Sequence, residues 1–182
     1  MPIFGVTASS NMSTKLTDFY QIATTTLANS TTSFVEFTSI PSDYTHLQIR
    51  GIAKSSINAV VDLTFNGDTA NNYTYHALGG TGTSAYSEAS VNRANIAAVF
   101  NSPSNAETVG YSGGYVDILD FKDTNKFKTV RCLGGFDGNG AGSVSLVSGA
   151  WRSTSAITSL RLTNRSGNFI QYTSFALYGI KG

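Results

Sequence analysis

Ala59-Val-Val-Asp-Leu-Thr-Phe-Asn-Gly-Asp68 decides the fold class. Val61, Leu63 and Phe65 fall on one side of an extended chain, opposite Val60, Asp62 and Thr64, and an Asn-Gly pair follows at once. Side chains alternate faces only in a strand, and Asn-Gly supplies the positive φ of a tight turn. The same period-two pattern recurs on both sides. Val35 and Phe37 oppose Phe34 and Glu36, while Leu47 and Ile49 point inward and His46, Gln48 and Arg50 outward. Further strand patterns cover 19–27, 72–78, 96–100, 115–121, 127–133, 143–147, 156–163 and 169–179, for ten or eleven strands.

Turn residues separate these runs: Gly79-Gly-Thr-Gly82, Ser102-Pro-Ser-Asn105 and Asp137-Gly-Asn-Gly140. Helical periodicity is nearly absent, and residues 90–100 are the one stretch left open to a turn of helix. Residues 39–44 and 79–95 read as the longest irregular connections. The expected fold is all-β, a two-sheet antiparallel β-sandwich that is jelly-roll-like rather than a barrel. Residues 1–18 lack alternation and read as an extended N-terminal arm, leaving 19–182 as a single β-sandwich domain.

The chain of 182 residues can bury roughly 70% of its unfolded surface and needs no disulfide or metal to fold. Charged residues make up 13%, against about 25% in ordinary domains. The net charge is +1 and the basic residues are scattered, so neither nucleic acid nor a membrane is an expected partner. The group Lys122, Lys126, Lys128 and Arg131 contains Asp120 and Asp123 and reads as a solvated turn. With one cysteine, Cys132, no intrachain disulfide forms; it lies between Val130 and Leu133 and reads as a small buried hydrophobe. Met1-Pro-Ile-Phe-Gly-Val6 has neither the basic segment nor the long apolar core of a secretion leader, and no stretch approaches the roughly 20 apolar residues of a membrane helix.

Catalytic and metal signals are weak. His46 and His76 have no ligand partners at zinc spacing. There is no Gly-x-Ser-x-Gly elbow. The oxygen-rich run from Asp62 to Asn72 lacks the closing Glu of a calcium loop and reads as a β-turn. The glycines at 134–142 precede a strand rather than a helix, so they form a hairpin connection and no phosphate cradle. The eleven acidic residues are dispersed, Asp117 and Asp120 being assigned to opposite strand faces. No cofactor, no metal site and no enzymatic activity are expected. Tyr73, Tyr75, Tyr86, Tyr111, Tyr115 and Trp151 are candidates for a stacking surface, although alternating aromatics also serve packing. Trp151 and Tyr111 are the two candidate ligand-surface residues.

Several segments carry a resemblance. They are Ile40-Pro-Ser-Asp-Tyr-Thr-His-Leu-Gln-Ile-Arg-Gly-Ile-Ala53, Leu63 through His76, Asp117-Ile-Leu-Asp-Phe121 with Thr124 through Arg131, Trp151 through Leu160, and Phe175-Ala-Leu-Tyr-Gly-Ile-Lys-Gly182. In this order they resemble small β-sandwich virion structural proteins of tailed bacteriophages, including cyanophages. The resemblance spans about residues 34–182, and the Pro2-Ile-Phe-Gly-Val6 arm also fits. It implies a non-enzymatic virion protein assembled in the host cytoplasm: a capsid decoration (cement) protein stabilising the head, or a tail fibre or baseplate module that binds a receptor. It also implies a homotrimer, with the major capsid protein or other virion proteins as partners; a glycan enters only under the tail reading. On the head, Pro2, Ile3, Phe4 and Val6 would form the capsid-contact arm, each buried apolar side chain contributing about 1.5–3 kcal/mol.

Overall fold

The computed structural model describes residues 18–103 and 110–182. The arm residues Pro2, Ile3, Phe4 and Val6 lie outside the described residues. Twelve strands follow in order: β1 Phe19–Thr26, β2 Phe34–Phe37, β3 His46–Ala53, β4 Ala59–Phe65, β5 Tyr73–Gly80, β6 Ala85–Arg93, β7 Ile96–Ser102, β8 Ser112–Leu119, β9 Lys128–Asp137, β10 Gly142–Trp151, β11 Leu160–Asn164 and β12 Ser174–Ile180. They form an eight-stranded sheet, β1-β12-β3-β8-β9-β10-β5-β6, and a four-stranded sheet, β2-β11-β4-β7. All pairings are antiparallel. The protein is an all-β, two-sheet sandwich, as the alternation requires.

The core is the set of inward positions. One continuous rung of the large sheet runs Ala77, Val147, Cys132, Val116, Ile49 and Leu177, and all six are buried. The small sheet answers with Val61, Leu63, Phe65, Leu160 and Leu162. The next inward rung of the large sheet is nearly bare, with Ser145, Gly134, Gly114 and Gly51 in register. A Cβ on Gly114 would lie 2.6 Å from the Leu133 carbonyl and 3.0 Å from the Phe100 ring, and one on Gly51 would strike Phe175 at 2.3 Å. Those aromatics fill the missing volume, with Phe100 against Phe175 at 5.5 Å and Phe169 against Phe175 at 5.4 Å.

Several sequence expectations are corrected. Residues 79–95 are not a connection, since they contain the end of β5 and all of β6. Residues 90–100 hold no helix; they join β6 to β7. β6 escaped notice because it is an edge strand overhanging the narrower small sheet and is exposed along almost its whole length, so it never needed a hydrophobic face. Residues 156–159 are not strand. There the Asn66 side chain replaces ladder partners, its Oδ1 accepting from the backbone of Thr158 at 2.8 Å and Ser159 at 3.1 Å, its Nδ2 donating to the Ala156 carbonyl at 2.8 Å. The run from Phe169 is interrupted at Tyr172, where φ is 65°, so β12 begins only at Ser174.

Lys128 departs furthest from the solvated-turn reading of its group. It is fully buried. Its ammonium donates to the carbonyls of Asp123, Lys126 (3.0 Å) and Thr154 (3.2 Å), joining the β8–β9 turn to the chain after β10. Burial lowers its pKa, though Asp123 and Asp120 nearby oppose the shift. Lys126 does behave as read, pairing at the surface with Asp120 at 2.6 Å and Asp123 at 3.6 Å.

Candidate functional site

Trp151 ends β10, in register with Tyr73 on β5 and Lys128 on β9, and that rung points inward. Its indole is 2% exposed. It stacks on Tyr73 at 6.3 Å and 19° and tilts against Phe65 at 5.6 Å. The Nε1 proton goes to Asp68 Oδ2 at 2.7 Å. This corrects the stacking-surface reading, because no face of the indole remains for a sugar.

Asp68 is placed by the Asn66-Gly67 turn, with φ of 51° and 67° and Asp68 N–H closing on the Phe65 carbonyl at 2.8 Å. Its carboxylate also accepts from Ala70 N at 2.8 Å and Asn72 Nδ2 at 2.8 Å. Partial burial pushes this carboxyl up, but the bonds from Asn72, Trp151 and Ala70 outweigh it and hold it below the usual carboxylate range. The Tyr73 hydroxyl donates to the Asp68 carbonyl at 3.0 Å and accepts from Phe65 N at 3.1 Å; burial drives its pKa up. Of the oxygens that suggested calcium, the Asp68 carboxylate is engaged in fixing this turn and the Asp62 carboxylate in gripping Arg165.

Tyr111 is half-buried before β8, its hydroxyl donating to the Gln171 carbonyl at 2.9 Å and its ring 5.4 Å from Lys54 Nζ. Trp151 lies at the Leu119 end of the β8 ladder and Tyr111 just before its Ser112 end, so the two form no common cleft. Tyr75 is buried too, its hydroxyl on Glu88 Oε1 at 2.6 Å. Cys132 sits in the core rung, where burial and the nearby Asp117 charge push its thiol far above the ordinary range. Asp117 accepts from Gln48 Nε2 at 2.7 Å, and Asp120 is held by Lys126 and lies 3.5 Å from His46 Nδ1. Among the described residues, no three His, Cys, Asp or Glu side chains group as metal ligands.

Sequence reasoning missed the outer face of the large sheet. One outward rung runs Leu78, Leu146, Leu133, Tyr115 and Arg50 across β5, β10, β9, β8 and β3. Leu78 is 58% exposed, Leu146 51%, Tyr115 39% and Leu133 38%. Two residues along the strands, the next outward rung is Gly80, Val144, Gly135, Gly113 and Ile52, with Val144 and Ile52 also exposed. On the other side of the leucine rung lies a polar one: His76, Ser148, Arg131, Asp117 and Gln48. The small sheet presents a different outer face, polar and ion-paired. Arg161 bonds Glu36 at 3.2 Å and lies 4.2 Å from the centre of the Phe34 ring, and Arg165 grips Asp62 with two bonds of 2.7 and 2.9 Å. The missed signal was adjacent apolar pairs in the strands, Ala77-Leu78, Cys132-Leu133 and Leu146-Val147, which put hydrophobic side chains on both faces.

Compared with protein-family models, curated proteins and solved structures, the chain matches none.

Proposed function

We propose that this chain is a non-enzymatic structural protein of a tailed-phage particle, a decoration protein that stabilises the head. The observation that carries the reading is the order of strands. With the β5–β6 and β9–β10 hairpins set aside, the remaining eight strands fall in the order first, eighth, third, sixth in one sheet and second, seventh, fourth, fifth in the other. We read that connectivity as a jelly roll widened on one side by two hairpins. This architecture recurs in viral capsid and lectin domains. A fold does not dictate a function, so the reading leans also on the resemblance to phage virion proteins and on the character of the surface. Polarity outside the large-sheet face comes mostly from Ser, Thr and Asn, which suits contacts repeated over a symmetric lattice. The fully buried Lys128 and the half-buried Asp68 are committed to holding turns.

Antibody labelling of this protein on intact particles, viewed by electron microscopy, tests the reading. A regular lattice of label over the head is expected. Label confined to the tail would replace decoration with a fibre or baseplate role, and particles without label would remove the virion reading altogether.

A further inference from the structure

We propose that the outer face of the large sheet, over β5, β10, β9, β8 and β3, is buried against the same face of a second copy of this chain. Three observations lead there, and all hold whether the protein sits on head or tail. First, Leu78, Leu146, Leu133, Tyr115, Val144 and Ile52 form one contiguous patch. Together they expose on the order of 500 Å² of mostly apolar surface, as large as the biggest patches on ordinary monomers, which are often functional. On the other outer face Arg161 lies against the Phe34 ring and the charges are paired, Arg161 with Glu36 and Arg165 with Asp62.

Second, the relief is self-complementary. Along the rung Gly80, Val144, Gly135, Gly113, Ile52, two branched side chains stand beside positions with none. Turned over on itself about a two-fold axis, such a row sets knobs over gaps, as an isologous contact requires. The axis that does this runs along β9, setting Val144 over Gly113 and Ile52 over Gly80, and it brings Leu133 to Leu133 and Leu146 to Tyr115 of the second copy. With a fourth outward rung, Thr74, Ala150, Thr129 and Leu119, beyond the polar one, five strands by four rungs cover roughly 24 by 27 Å, which with side-chain relief approaches the ~800 Å² that one partner gives to a standard interface.

Third, Gly113 is not needed by the chain that contains it. A Cβ there would meet no heavy atom within 4 Å, and its φ lies outside the left-handed region. Glycine in a strand interior weakens the strand, and it often marks close approach of another backbone or ligand. Its neighbour Gly114 is explained from within, by the Leu133 carbonyl and Phe100. Gly113 faces outward, where a second copy explains it. A two-fold contact makes even-numbered assemblies: a dimer, or a hexamer where a three-fold axis is present as well.

Sedimentation velocity on the full chain and three variants decides the matter. Gly113→Lys and Leu146→Lys alter this face, Thr64→Lys adds the same charge to the other outer face, and thermal melts confirm that each variant folds. Wild type should sediment at twice the 19.3 kDa chain mass or an even multiple. Gly113→Lys and Leu146→Lys should each weaken that association at least about tenfold while Thr64→Lys leaves it alone. A wild type that is monomeric at about 100 µM, weaker than interfaces of this size, would overturn the proposal. So would an odd-numbered assembly, an even one indifferent to both face variants, or one dissociated equally by Thr64→Lys.

Discussion

Removing the carboxylate at Asp68 isolates what the Asn66-Gly67 turn does for the sandwich, and the protein carries its own reporter. In Asp68→Ala the indole N–H of Trp151, the Asn72 amide and the Ala70 N–H all lose their acceptor. The Ala70 N–H lies near water and can be rehydrated. The indole is buried between Tyr73 and Phe65, so its proton is left without a partner. A lost bond to a charged acceptor, with a buried donor stranded, costs about 2–3 kcal/mol. For a chain of this length that corresponds to a fall in Tm of about 5–10 °C. Trp151 is the sole tryptophan, so urea unfolding followed by its fluorescence reads the turn and the global transition together. The effect should also depend on pH. The folded carboxyl titrates below its unfolded value, so its contribution is fully present above the unfolded pKa near 3.9 and is lost as pH falls through the folded pKa. The gap between wild type and variant should therefore be full at pH 7 and close progressively below about pH 4. An unchanged urea midpoint at pH 7, or a gap as wide at about pH 2.5 as at neutrality, would refute the reasoning.

The adjacent glycines of β8 should behave oppositely. Gly114→Ala drives a Cβ against the Leu133 carbonyl and Phe100 and should cost about 1–3 kcal/mol, whereas Gly113→Ala should be neutral or slightly stabilising in urea titrations at concentrations too low for association. Lys128→Met keeps the volume but strands three carbonyls; it should lower the melting temperature and speed amide exchange around residues 120–126, and an unchanged or raised Tm would show the carbonyls find other donors. Cys132 should react with a thiol reagent at the rate of global unfolding, because it is buried and its thiol is pushed up; prompt labelling of native protein would contradict its place in the core. Deleting residues 2–10 should leave a folded domain that is no longer retained on particles, and undiminished retention would count against the arm as an anchor.

The strands most legible in the sequence were those facing water on one side and core on the other. β2, β3 and β4 announced themselves by alternation, and Val35, Phe37, Leu47, Ile49, Val61, Leu63 and Phe65 are all buried as their spacing demanded. β6 lacked that signal because both of its faces meet solvent. The ends of β11 and β12 were misplaced because side-chain bonds from Asn66 and the left-handed Tyr172 interrupt the ladder, and neither leaves a mark on hydrophobic periodicity. Trp151 was misjudged for another reason. Its flanking Ser-Gly-Ala and Arg-Ser-Thr look like loop, and only the register with Tyr73 and Lys128 turns it inward. The leucine rung is assembled from three strands in a sheet order no local reading supplies.

β12 lies between β1 and β3. Among the described residues, the strand nearest the end of the sequence is therefore the one partner of the first strand and one of the two neighbours of the third. During synthesis β1 has nothing to pair with until β12 has cleared the ribosomal tunnel, and at about 5–20 residues per second that wait lasts many seconds. Until then Leu47 and Ile49 on β3 have at most β8 beside them. Nascent chains of this protein thus lack the strand next to the edge of their larger sheet, and losing β12 would separate β1 from the six strands beyond it.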